Sequence, residues 1–284
     1  MKEFLPRRRR LAVLITHPVQ YFQPVFAALA LDQDLELLVV FGCDHGIQIS
    51  NDPDFGLAFA WDCSPTEGFP HVFVSTAPLA DLSRWQQAWL LAKRACQRIR
   101  RFRPDQVLVF AYSPIFITLG TLLLRQAGLR LMLRAECTDR ALPRTWLKGL
   151  IRDLLLRLWY RQFEAVFPIG EDSNDHFARL GVPPHRRHRV SYAVNTAFFA
   201  DLVRQWSPRR DQLRRQYGIG PTDLVLLWSA KMTNIKNPLL VVEALRQLPD
   251  VLRCRFWLVA MGDGPLRSSF EAEAKSVLET RCCF

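Results

Sequence analysis

Short apolar runs recur along this chain, each closed by a polar turn and followed by a stretch of helical pattern. Residues 11–15 (LAVLI) are the clearest case: five apolar residues in a row, then Thr16, His17 and Pro18. A strand with one wet face alternates apolar and polar residues. A continuous run instead predicts a strand covered on both faces, as in a parallel sheet packed between helices. Strand segments at 11–15, 35–41, 71–76, 106–110, 130–134 and 165–169 alternate with helical patterns at 24–31, 82–101, 115–126, 146–163 and 172–180. That order predicts an α/β fold. Trp85, Trp89 and Leu90 are expected on the apolar side of the 82–101 helix. Residues 43–70, rich in Asp, Gly and Pro, read as one long loop, and 189–192 as a last short strand.

A polar, basic stretch follows at 195–217, with Pro208 inside it, and reads as a linker. A buried strand at 223–228 then opens a second run: helix 238–248, strand 253–259, helix 265–278. The expected organisation is a first domain over 1–200, a linker over 201–222 and a second domain over 223–284. Two parallel strands cannot bury both faces, and a nucleotide-binding lobe takes roughly five or six. The second domain is therefore expected to be truncated, with 279–284 forming neither strand nor cap.

Composition limits the setting. The 284 residues are 49% hydrophobic and 23% charged, enough for a core without disulfide staples. The seven cysteines form no CxxC pair and are odd in number, which argues for a reducing compartment and against a zinc or disulfide framework. The net charge of +11, from 38 basic and 27 acidic residues, suits an anionic partner. No helix-turn-helix, zinc-finger or RNA-binding aromatic pattern accompanies it, so nucleic acid is not expected. The apolar run after the arginines at 7–10 is too short for a signal peptide. No run approaches the roughly 20 apolar residues of a spanning helix. The expectation is a cytoplasmic protein resting peripherally on the inner face of a membrane.

The segment SAKMTNIKNP (229–238) brings Ser229, Lys231 and Lys236 just past a strand's carboxyl end, where open α/β sheets bind ligands. The helix that follows directs its amino-terminal dipole toward a phosphate there. Two ammonium groups offset the charge of a diphosphate and stabilise it as a leaving group. The alternative is a pair of solvated lysines in a surface loop. One strand later, MGDGPLR (261–267) supplies Gly262 and Gly264, which let backbone approach a ligand closely.

Together these segments resemble the start of the donor domain in GT-B glycosyltransferases of family 4, where a Gly-Arg/Lys-x4-Lys turn precedes a Gly-x-Gly-x-x-Arg turn. The first domain carries the resemblance further. THPVQYFQP (16–24) is similar to the first βα turn of one subgroup, and DFG (54–56) with Trp61 and Asp62 to its long loop. Phe110, Tyr112 and Ser113, then Arg134, Glu136 and Cys137, resemble its later strand ends. Ile169, Gly170 and Asn174, Gly181 and Pro183, and Tyr192, Asn195 and Phe199 resemble its approach to the linker. The resemblance implies a GT-B-like fold: one complete Rossmann-like lobe and the first βαβα of a second. It implies a retaining transfer from a nucleotide-sugar donor to a glycan or lipid-linked acceptor, with no metal or other cofactor. Lys231, Lys236, Ser229, Gly262 and Gly264 would meet the donor phosphates. Glu136 and His17 are the catalytic candidates, and Gln20, Tyr112 and Arg134 the acceptor-side ones; each is otherwise a satisfied polar residue lining a loop. The chain departs from the family in lacking the later Glu-x7-Glu element, so impaired activity is expected.

Three other features carry weaker signals. Asp52 and Asp54 match an Asp-x-Asp metal motif, but turn chemistry explains them. His185 and His188 have too few partners for a metal site and read as a basic loop. In the 146–163 helix, Leu147, Leu150, Ile151, Leu154 and Leu158 share one face, and Arg144, Lys148, Arg152, Arg157 and Arg161 a second, broad one. Such a helix either lies on anionic lipid or turns its leucines to the core and its arginines to solvent. A different class of function also fits the charge: a non-catalytic basic protein that docks on a membrane surface or another polyanion.

Overall fold

The computed structural model describes residues 7–47, 50–52, 57–59, 64–76, 78–139 and 146–284, with only the backbone at 50–52, 57–59 and 146. The chain divides into two compact units, Met1–Gln48 with Trp61–Asn195, and Ile49–Ala60 with Thr196–Phe284.

Unit 1 is built on six parallel strands: β1 (Arg9–Ile15), β2 (Leu35–Phe41), β5 (His71–Phe73), β6 (Gln106–Phe110), β7 (Leu131–Arg134) and β8 (Ala165–Phe167), in the order β5-β2-β1-β6-β7-β8. The chain runs outward from β1 through β2 to β5, then returns to the other side of β1 and continues through β6, β7 and β8. The order therefore reverses between β1 and β6, and such a switch point opens a crevice at the strands' carboxyl ends. Residues of β1 alternate between two cores. Ala12 and Leu14 face one, with Ile99, Phe116 and Phe177; Val13 and Ile15 face the other, with Phe26 and Phe41. This is why the run carries no polar residue.

The connecting helices are α1 (Gln23–Leu31), α2 (Trp85–Phe102), α3 (Ile115–Gln126), α4 (Trp146–Tyr160) and α5 (Glu171–Arg179). The face of α2 is a correction. Ala88, Leu91, Ala92, Ala95, Cys96 and Ile99 are buried, whereas Trp85 and Leu90 are exposed and Trp89 is only partly covered. Small alanines let the helix seat closely, and bulky residues on that side would hold it off. The stretch expected to be one loop contains a short antiparallel strand pair, β3 (Ser50–Asp52) with β4 (Leu57–Phe59). No strand forms at 189–192; the segment runs beside β8 through single bonds, His188 N–H to Val166 O at 3.0 Å and Val190 N–H to Pro168 O at 2.9 Å. Asp54, Phe55, Gly56, Trp61, Asp62 and Arg144 lie outside the described residues, as does the Asp54 end of the Asp-x-Asp motif.

In unit 2 the stretch read as a linker is helical: α6 (Thr196–Trp206) and α7 (Arg210–Gln216). Next come β9 (Leu224–Ser229), α8 (Leu239–Arg246), the single turn α9 (Asp250–Arg253), β10 (Phe256–Met261), α10 (Arg267–Leu278) and β11 (Cys282–Cys283). The sheet is parallel in the order β11-β10-β9. The short strand β11 corrects the expectation for 279–284. It pairs with Leu258 and Val259, and Phe284 packs its ring 5.3 Å from that of Phe270. The core lies on one face, around Met232, Val242, Leu258, Phe270 and Leu278. β9 is not the buried strand its composition suggested, because Leu224, Val225 and Leu227 are exposed.

Candidate active site

The crevice of unit 1 is a cleft of about 370 Å³ at the carboxyl ends of β1, β6 and β7, the two sides of the switch point and the next strand out. Each strand contributes through the residues just beyond its last pair: Thr16 and His17 after β1, Ala111 and Tyr112 after β6, Ala135 and Glu136 after β7. Ala111 holds a left-handed backbone (φ 63°), a conformation costly for a residue with a Cβ. The bond from its N–H to Arg134 O at 2.8 Å and the bond from Thr118 Oγ1–H to Tyr112 O at 2.6 Å brace the turn.

His17 is half-buried, with Nδ1 2.9 Å from Thr16 Oγ1 and its ring edge-on to His45 at 5.5 Å. Burial first, and the His45 charge second, lower its pKa from 6.5 to about 4. The imidazole is therefore neutral at physiological pH, able to accept a hydrogen bond but too weak a base to take a proton outright from a hydroxyl. Arg134 ends β7 with its guanidinium buried among rings: 4.8 Å from the centroid of Phe22, 5.0 Å from Tyr192 and 5.5 Å from Phe110. Its acidic partner among the described residues is the half-exposed Glu136, at 3.7 Å. Burial lowers the Arg134 pKa, with Glu136 acting in the opposite direction. A guanidinium held between aromatic faces keeps its N–H edges for a ligand.

A network of hydrogen bonds and ion pairs fixes the loop after β7 from behind. Asp139 accepts from Arg179 Nε and Nη2, both at 2.8 Å, and sits 2.8 Å from His176 Nδ1. Arg179 holds the Asp139 carboxyl well below the usual carboxylate range. His176 is fully buried, and burial lowers its pKa, so Nδ1–H faces Asp139 and Nε2 accepts from the Tyr160 hydroxyl at 3.0 Å. Cys137 Sγ lies 3.5 Å from the same hydroxyl. Arg179 also pairs with Asp153 of α4. The loop that carries Glu136 is thus tied to both α4 and α5.

Of the candidates in this unit, His17, Tyr112, Arg134 and Glu136 come together in the one cleft. Gln20 lies in a 3-10 turn (Gln20–Phe22) whose neighbours Tyr21 and Phe22 line the cleft while Gln20 does not. The ring cage of Phe22, Phe110 and Tyr192 was not expected; its members come from three distant segments, and only the paired aromatics at 21 and 22 hinted at it. The His185–His188 loop is also more than a basic surface. Arg186 donates to Tyr160 O at 3.1 Å and Glu164 O at 3.2 Å, and Arg187 to Asn174 Oδ1 at 2.9 Å.

In unit 2 Ser229 ends β9, and Lys231 and Lys236 lie on the turn leading to α8, with Pro238 at the helix's amino end. Lys236 is exposed, and Lys231 is half-buried and engaged with a neighbour. The lysine turn is backed by the glycine turn after β10. Met232 N–H donates to Asp263 O at 2.8 Å, and Leu266 N–H donates to Met232 O at 3.0 Å. Gly262 (φ 135°) and Gly264 (φ 147°) are required by this packing: a Cβ on Gly262 would stand 2.0 Å from Ala230 O, and one on Gly264 2.7 Å from Met232 O. The close approach that these glycines allow is therefore turn against turn, which sets the lysine-bearing segment in place. Among the described residues no group of three or more His, Cys, Asp and Glu side chains is disposed to hold a metal ion.

No family model and no curated protein matches the chain. Solved structures do. HepE from Anabaena in complex with UDP and glucose aligns over 98% of this chain and 69% of its own, with a TM-score of 0.64 at 12% identity. Sucrose-phosphate synthase from Thermosynechococcus elongatus aligns over 98% of this chain and 70% of its own (TM-score 0.59, 14% identity). UDP-GlcNAc 2-epimerase from Neisseria meningitidis, bound to UDP-GlcNAc, aligns over 96% and 70% (TM-score 0.56, 14% identity). At these identities the likeness is one of fold. The chain has a Rossmann-like GT-B fold.

Proposed function

We propose that the chain is a glycosyltransferase-like protein that transfers a sugar from a nucleotide-sugar donor to a glycan or lipid-linked acceptor. The observation that carries this reading is the lysine turn of unit 2. It lies at the carboxyl end of a parallel strand, before a helix amino-terminus, and glycines that admit no side chain hold it in place. Lys231, Lys236 and Ser229 bind the donor diphosphate, while Gly262 and Gly264 act through the backbone they seat. The solved relatives that bind UDP, UDP-glucose and UDP-GlcNAc support a nucleotide-sugar as donor. By the family 4 resemblance, the transfer retains the anomeric configuration and uses no metal or other cofactor, the lysines supplying the positive charge.

The acceptor enters the cleft of unit 1. Its hydroxyl meets neutral His17 and the carboxylate of Glu136, and Arg134 and Tyr112 orient the ring, with Gln20 nearby. The protein works in the cytoplasm, on the inner face of a membrane where its acceptor resides. A non-catalytic chain that docks on a membrane surface or another polyanion is the weaker reading, because charge alone accounts for neither the lysine turn braced by Gly262 and Gly264 nor the cleft at the strand ends of unit 1.

The test is transfer itself. A panel of radiolabelled UDP- and GDP-sugars is incubated with the full chain and membranes, and label is counted in lipid and glycan fractions. One donor class should be consumed and its sugar incorporated, with loss of at least tenfold in Lys231→Ala/Lys236→Ala. Turnover unaffected by that double change, or no donor consumed at all, overturns the reading.

A further inference from the structure

Helix α4 is an unusual surface element. Leu147, Leu150, Ile151, Leu154, Leu155 and Leu158 are between 48% and 61% exposed, so the leucine face is not turned to the core. Among its described side chains only Leu156 and Tyr160 are buried. At about 100° per residue the six exposed residues form one stripe along the helix. The basic residues do not share a face, contrary to the sequence reading. Lys148 and Arg157 are nine residues apart, about half a turn out of phase, so they flank the stripe on opposite sides. Arg161 follows just past the end of the helix, exposed. Arg152 and Asp153 point away from the stripe, Asp153 to Arg179 and Arg152 to Asp139 at 3.5 Å. Those pairs lock the helix rotation, so the leucines cannot be hidden by a roll.

We propose that this stripe is the surface by which unit 1 rests on an anionic lipid bilayer, the α4 axis lying in the headgroup plane and the leucines entering the acyl boundary. A continuous apolar patch on a helix with cationic flanks is the form an interfacial helix takes. At 15 residues it is too short to cross, and no helix among the described residues is long and apolar enough to do so. The charges favour lipid over a second copy of the chain. An isologous contact through the stripe would set the Lys148 and Arg157 flanks of one copy against those of the other, cation facing cation, with the one acid of the helix spent on its buried side. An anionic surface neutralises both flanks. The inference stands on this face alone and does not depend on sugar transfer.

The full chain is floated with unilamellar vesicles of phosphatidylglycerol and phosphatidylcholine in equal parts, and with phosphatidylcholine alone. It should float with the first, and release as salt is raised. Leu150→Gln/Ile151→Gln/Leu154→Gln should lower the partition at least tenfold with its circular dichroism and thermal midpoint unchanged, since these side chains are exposed. Leu31→Gln/Leu90→Gln, which removes exposed leucines elsewhere, should bind as the parent does. Lys148→Gln/Arg157→Gln should lose about fivefold per cation on anionic vesicles. The proposal is overturned if the chain does not float, if the stripe variant floats like the parent, or if that variant turns a dimer into a monomer in sedimentation.

Discussion

His17 offers a direct probe of how dry the unit 1 cleft is. Its pKa is lowered from 6.5 to about 4, chiefly by burial. In the unfolded chain the same ring titrates near its ordinary value, so below about pH 6.5 the unfolded state binds more protons than the folded one. Stability from this residue is therefore complete above that value and is lost as the pH falls toward 4. A displacement of this size corresponds to about 3 kcal/mol by pH 4. Other groups titrate in the same range: His176 is also held neutral by burial, and the paired carboxylates Asp153 and Glu164 add their own losses lower down. The quantity to measure is thus a difference. Urea unfolding of the parent and His17→Gln is compared at pH 7, 6, 5 and 4, and the parent should lose about 3 kcal/mol more than the variant over that span. Carbon-13 labelling of the six histidines gives the pKa itself, the missing resonance in His17→Gln making the assignment. His45→Gln should raise the His17 value slightly, because the like charge is the lesser cause. A His17 pKa between 6 and 7 would mean a wet cleft and would refute the reasoning.

Three further outcomes follow from the geometry. Gly262→Ala should destabilise unit 2 by about 2–4 kcal/mol, because its Cβ meets Ala230 O at 2.0 Å; thermal unfolding should show unit 2 melting earlier, with hydrogen exchange in β1 unchanged. His176→Phe should cost about 1–3 kcal/mol by removing the bonds of the ring to the Tyr160 hydroxyl and to Asp139, which keep only Cys137 and the arginines beside them, measured by chemical denaturation. Arg134→Met should leave the melting temperature unchanged or higher, since an apolar side chain suits the ring cage, yet lower transfer at least tenfold. A fall in both together would make Arg134 structural.

The central strands were legible because a doubly covered strand leaves no choice of residue. β6 and α3 fall where their patterns put them, and β1 within two residues. What escaped depends on contacts far apart in the sequence. The buried face of α2 is lined by alanines, which carry little hydropathy signal but allow close packing, so Trp85 and Leu90 misled. The two-residue strand β11 exists through its pairing with β10 and the ring of Phe284 on Phe270. At the site, the strand-end positions of His17, Tyr112, Glu136 and Lys231 could be read from run endings. The aromatic cage of Arg134 and the Asp139–His176–Tyr160 network could not, since each assembles residues from separate βα units. The glycines were read as letting backbone approach closely, and part of the backbone they admit is that of the lysine turn, a pairing that no run of residues announces.

Lys231 and Lys236 as a diphosphate site are the core of the account, and a phosphate ladder tests them most directly. The full chain is titrated calorimetrically with uridine, UMP and UDP, and with guanosine, GMP and GDP, at fixed low salt. In one of the two series affinity should climb with each phosphate, the diphosphate binding at least tenfold tighter than the nucleoside, and Lys231→Ala/Lys236→Ala should flatten the climb. Equal affinity along both ladders, or a climb that survives the double substitution, would contradict the assignment.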